Sequence, residues 1–164
     1  VDAVIEQWRQ VEPELSDDLW PIGIIGRISR LSRVVDRELK QFFASHGLET
    51  GEYDVLATVY RSGNPEGLTA GSFLKAALVT SGAVTNRVDR MEAKGLVERV
   101  RDSGDRRSVK IRLTARGTEI VQHVTALHLA NERRLLSGLS EAQCEQLTDG
   151  LRTLLESFGD TELG

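Results

Sequence analysis

The stretch from Leu96 to Leu113 constrains the fold more than any other part of the chain. Two runs, Leu96–Val100 and Val109–Leu113, alternate apolar and charged residues, and RDSGD between them supplies turn chemistry. The pair reads as a β-hairpin. Directly before it, Ser81 to Lys94 has helical periodicity. Val84, Val88 and Met91 form its inward stripe and Gly95 its stop. Thr69 to Ala77 reads as a shorter helix opened by Leu68 and capped by Thr69, with a brief turn leading to a second cap at Thr80. Two helices joined by a short turn, the second followed by a hairpin, have the form of a helix-turn-helix with a wing. The expected fold class is mainly α with a small β-hairpin wing.

Val1 to Val11 reads as a short helix with Val4, Ile5, Trp8 and Val11 on one side, ended by Pro13. Ser16 to Asp18 offers N-cap candidates, and Pro21 suits the first turn of a long helix to about Ser45, with Gly47 as its stop. A third helix spans about Thr50 to Arg61, and SGNPEG after it is a loop by composition. Beyond the hairpin, Thr114 caps a helix to about Ser137. A capping box, Ser140 to Gln143, opens the last helix, which carries Leu147, Leu151, Leu154 and Phe158 at helical spacing. The chain thus divides into N-terminal helices (1–48), a winged helix-turn-helix (49–114) and C-terminal helices (115–164). The terminal helices hold more apolar residues than the small winged module can cover. A second copy of the chain is the expected cover, and two-fold symmetry suits DNA with paired half-sites.

Charge agrees with this reading. The chain carries a formal −4, yet Arg87 to Arg116 contains ten Lys/Arg against five acids. A local basic face on an acidic body is compatible with nucleic acid, because binding depends on the field at the contact surface. On the Ser81–Lys94 helix, Ser81, Thr85, Asn86 and Arg90 face outward with Asp89. Arg90 suits a guanine edge or phosphate, Asn86 adenine, Thr85 a thymine methyl or phosphate, and Ser81 phosphate at the helix N-terminus. Arg106 and Arg107 alternate along the wing. One is expected to reach the DNA backbone or the minor groove, while the other pairs with Asp102 or Asp105.

Other function classes are weak in this sequence. Three scattered histidines and one cysteine give no metal spacing, and there is neither a phosphate-binding loop nor a nucleophile elbow. No catalytic residues, metal or cofactor are expected. A single Cys144 fits a reducing, cytoplasmic setting and reads as a structural thiol. No apolar run approaches the roughly 20 residues that span a bilayer, so no membrane partner is expected. A helical adaptor without DNA binding is opposed by the basic tip GDRR and the polar face of the helix before it.

TSGAVTNRVDRMEAKGLVERVRDSGDRRSVKIRLTARG resembles the MarR family of winged-helix transcription regulators, and the likeness extends over about residues 20 to 158. DRR at the wing, followed by LTARG, carries it most strongly. The resemblance implies a triangular helical homodimer whose terminal helices form the interface and whose two winged lobes bind a pseudo-palindromic, double-stranded operator. The additional N-terminal helix with WRQVEPEL, Trp8 to Leu15, is similar to the urate-responsive branch of that family. The branch's effector signature maps onto Trp8, Asp54 in EYDVLATVYRSG, Arg87 in TNRVDRMEAKG and Arg99 in LVERV. It implies a repressor released by a small anionic effector, urate or a related purine. A planar anion of this kind would stack on Trp8, bond an arginine twice, repel Asp54 and compete with it for Arg87. The same DNA role with a phenolic acid, a tricarboxylate such as trans-aconitate, or no effector stays open at this point.

Overall fold

The computed structural model describes residues 1–69, 71–73, 84–101 and 109–160, with the side chains of residues 84 and 85 left out. It resolves into two compact units, Val1–Gln41 and Phe42–Gly164.

In the first unit, helix α1 (Asp2–Val11) leads through a 3-10 helix (Pro13–Asp18) into α2 (Trp20–Ser45), and the unit boundary falls inside α2. Arg27 of α2 donates to the Asp2 carboxylate and holds it below the usual carboxylate range. The expectation that Ser16 to Asp18 would cap α2 is corrected. Proline fixes φ and lacks an N–H, so Pro13 nucleates a tight turn here rather than only ending α1. Ser16 lies inside that turn, and its hydroxyl donates to the Pro13 carbonyl at 2.6 Å. On α2, Ile24, Ile28 and Leu31 follow one another at steps of four and three and are all exposed.

The second unit is built on α3 (Thr50–Arg61). A capping box starts this helix: the Glu49 carboxylate accepts from the third-position amide, and the Glu49 amide donates to Glu52 at 2.9 Å. One face of α3 is buried through Tyr53, Val55, Leu56 and Val59. Strand β1 (Leu68–Thr69) follows, then a helical turn at 71–73, α4 (Val84–Ala93), β2 (Val97–Arg101), β3 (Val109–Leu113), α5 (Ala115–Leu135) and α6 (Glu141–Ser157). Thr114 caps α5 and Ser140 caps α6 by a capping box, both as read from sequence.

The hairpin gains a third strand. Leu68 and Thr69, expected to open a helix, instead pair antiparallel with Ile111 and Lys110, giving the sheet order β1-β3-β2. Gly67 permits this with φ of +84°, and a Cβ there would stand 2.2 Å from the Ile111 carbonyl oxygen. Thr69 still serves as the cap of the next turn, accepting from the Ser72 amide at 3.1 Å.

The core joins α4 and the sheet to α3 and α5. α3 packs on α4, β3 and α5, and α4 packs on β2. Val88 and Met91, the inward stripe of α4, are fully buried, and Gly95 ends that helix with φ of +67°. Phe43 stacks on Tyr53 with ring centroids 4.5 Å apart. By contrast, α6 buries none of its residues; Leu147, Leu151, Leu155 and Phe158 are exposed, and Cys144 is half-buried.

Candidate functional site

Helix α4 is fastened to the first turn of α3 through its cations. Arg90 Nη2 lies 3.0 Å from the Glu49 carboxylate, an ion pair with both side chains more than half exposed. Lys94 Nζ donates to both carboxylate oxygens of Glu52, at 2.7 and 2.8 Å. Glu52 is 0 % exposed, so this pair reaches from the surface into the interior. Arg87 takes a different seat. Its guanidinium lies flat against Gly51, so close that a Cβ on Gly51 would stand 2.1 Å from Arg87 Cζ. Arg87 Nε and Nη1 are buried without a hydrogen-bond partner, and so is the Thr50 hydroxyl.

The outward side of α4 presents Asn86, Asp89 and Arg90, all exposed. Asp89 and Glu92 both bind the guanidinium of Arg99 on β2, and the Arg99 amide donates to Glu92 at 3.1 Å. Hydrogen bonding by Asp89, and then by Glu92, drives the Arg99 guanidinium further toward its charged form. Arg112 bridges to Glu98 across the same strand pair at 2.8 Å. The wing base is thus laced by ion pairs that also hold it to α4.

Asp54 lies one turn into α3 and is half-buried. Burial pushes its carboxyl above the usual carboxylate range, opposed by the charges of Arg87, Arg61 and His128. Asp54 feels the charge of Arg87, but Arg87 Nε and Nη1 have no hydrogen-bond partner, so the pairing expected from sequence is not made through these nitrogens. The seat on Gly51 draws the guanidinium onto the α3 backbone instead. His128 on α5 completes the surroundings. Its ring packs against Phe42, Phe43 and Tyr53, and its Nδ1 is buried and unpartnered. Sequence reading passed over His128, Thr50 and Gly51. His128 sits four residues beyond Val124, at the spacing of the apolar stripe, and that spacing was the only signal available for it.

The expected site residues are therefore placed unevenly. Asn86 and Arg90 are exposed on α4. Thr85 belongs to α4, but its side chain lies outside the described residues, as do Ser81, Arg106 and Arg107 altogether. Asp54 and Arg87 are brought together electrostatically. Arg99 is engaged by Asp89 and Glu92. Trp8, in the first unit, is 46 % exposed and lines a shallow groove on α1 with Val4 and Val11. Among the described residues there is no His/Cys/Asp/Glu cluster fit for a metal, and no helix is long and apolar enough to cross a membrane.

Comparison with known proteins agrees with this geometry. Residues 46–108 match the profile of the MarR family. The HTH-type transcriptional regulator PecS of Dickeya dadantii is 37 % identical over 143 residues, covering 87 % of this chain and 85 % of that protein. Among solved structures, the S. aureus MepR–DNA complex superposes with a TM-score of 0.70 at 28 % identity, covering 79 % of this chain and 94 % of that one. A mutant of E. coli MarR complexed with operator DNA gives a TM-score of 0.72 at 24 % identity, over 86 % and 98 % of the two chains. A helix-turn-helix whose polar face is presented on α4, a sheet that forms its wing and a relative of this similarity lead to one assignment: the chain belongs to the MarR family and is a DNA-binding transcriptional regulator.

Proposed function

We propose that this regulator is a repressor which binds a pseudo-palindromic operator as a homodimer and is released by a small anionic effector, urate or a related oxopurine. The observation that carries the reading is Arg87. It is a cation on the DNA-reading helix, yet its guanidinium is turned inward with two buried nitrogens lacking acceptors. An anion that satisfied them would act directly on α4. Two recognition helices must match two half-sites at a fixed spacing, so a small tilt of α4 weakens binding. A coupling of ~1–3 kcal/mol gives 5- to 150-fold relief.

Asn86 and Arg90 are the described DNA-contacting residues, and Ser81, Thr85, Arg106 and Arg107 complete that set. Asp54, Arg87 and Arg99 form the effector set with Trp8, which the family resemblance alone assigns. Homodimerisation is supported by the exposed apolar stripes of α2 and α6, since exposed patches of this kind mark interaction surfaces.

Intrinsic tryptophan fluorescence during titration with urate tests the effector, with xanthine and trans-aconitate alongside. Trp8→Phe is the control, because Trp20 also emits. Saturable quenching is expected, lost in Trp8→Phe while operator affinity stays near the wild-type value. A flat response to all three anions rejects the anionic effector. Collapse of operator binding in Trp8→Phe makes Trp8 a scaffold residue instead.

A further inference from the structure

We propose that Thr50 and Gly51, in the first turn of α3, complete the seat in which a small planar organic anion meets Arg87: Thr50 contributes its hydroxyl and Gly51 leaves a bare face. The proposal rests on the reading that Arg87 belongs to the effector site.

Gly51 gives the arginine room, and backbone conformation does not call for it. It lies inside a regular helix, its φ is not positive, and glycine is a poor helix former. What occupies the position of its missing side chain is the Arg87 guanidinium, with Cζ, Nη2 and Nε all within 2.5 Å of where a Cβ would stand. Any larger residue at 51 must expel the arginine. A flat cation lying on flat backbone leaves its edges free for hydrogen bonds, and at Nε and Nη1 those edges are buried and without acceptors. Buried donors are rarely left unmet in proteins.

The Thr50 hydroxyl is a third buried polar atom without a partner, next in sequence to the arginine's seat. Its neighbours on the helix face follow from spacing. Asp54 is four residues from Thr50 and three from Gly51, so all three share one side of α3. In the proposed seat hydroxyl, carboxyl and guanidinium have complementary roles. The guanidinium favours an anion with acceptors in its plane. The hydroxyl can donate to a ring oxygen or accept from a ring N–H. The Asp54 carboxyl can meet a ring N–H. A planar oxopurine anion offers this alternation, and a simple inorganic anion does not. The seat joins the same two elements as the Arg90–Glu49 and Lys94–Glu52 contacts, the first turn of α3 and α4, so filling it works on the joint that holds α4 to α3.

The test is isothermal titration of urate into the full chain as wild type, Thr50→Val, Thr50→Ser, Gly51→Ala and Trp8→Phe. Thr50→Val keeps the shape and removes the hydroxyl. It is expected to bind urate ~10-fold more weakly with an unchanged thermal midpoint, and Thr50→Ser to restore most of the affinity. Gly51→Ala is expected to lose at least as much, because the arginine must leave its seat. Wild-type affinity in both Thr50→Val and Gly51→Ala, with Trp8→Phe weakened, overturns the proposal and leaves the effector site without these two residues. Failure of the wild type to bind urate, xanthine or trans-aconitate overturns the proposal together with the anionic-effector reading.

Discussion

Arg90→Ala is expected to weaken operator binding by ~1–3 kcal/mol, about 5- to 150-fold, with little change in the stability of the fold. In the free protein Arg90 is held by Glu49 at 3.0 Å, and both side chains are more than half exposed. An ion pair in that setting contributes only ~0–1 kcal/mol, so releasing it costs little when DNA approaches. A guanine edge or a phosphate offers a stronger, charge-assisted partner. The same logic sets an opposite expectation for Glu49→Gln, which keeps an acceptor for the helix cap but removes the competing charge: operator affinity rises a few-fold. Anisotropy of a labelled operator duplex, selected from a random pool, checks both variants. Equal affinity of Arg90→Ala and wild type would remove Arg90 from the DNA-contacting set.

Lys94→Met is expected to lower the stability of the fold by ~2–3 kcal/mol, read as a shift in the denaturant midpoint. Glu52 has no solvent exposure, and its two carboxylate oxygens are met by Lys94 Nζ and the Glu49 amide. Removing the ammonium leaves a buried charge held by one amide. Lys94 is itself 43 % exposed, which admits water to the pair and moderates the loss. Adding Glu52→Gln to Lys94→Met should recover more than half of it, since the amide keeps an acceptor for Glu49 and brings no charge. A double variant no more stable than Lys94→Met would show that Lys94 acts through helix packing and not by neutralising Glu52.

These two residues mark the limit of what the sequence discloses. Local signals were legible. Thr50–Arg61 has the bounds its periodicity predicts, Gly95 stops α4, Thr114 and Ser140 cap the helices they precede, and the two alternating runs pair as a hairpin. Each depends on residues within a turn or two of one another. Contacts across distance were not legible. Leu68–Thr69 is too short to show a period of two, and its partner strand begins about 40 residues later. Glu49 and Glu52 read as ordinary surface acids until the fold sets them against Arg90 and Lys94. Nothing in LVERV discloses that Arg99 is gripped by Asp89 and Glu92. Arg87 is the instructive case. The family resemblance marks the residue, but its unmet nitrogens and its seat on Gly51 appear only in three dimensions.

The coupling between that seat and the operator can be measured directly. Operator affinity of the wild type and of Arg87→Gln is compared by anisotropy, with and without saturating urate, at one fixed salt concentration because binding to DNA is strongly salt-dependent. Urate is expected to weaken wild-type binding by ~5- to 150-fold and to leave Arg87→Gln unaffected. Wild-type affinity that stays the same at saturating urate would contradict release through Arg87.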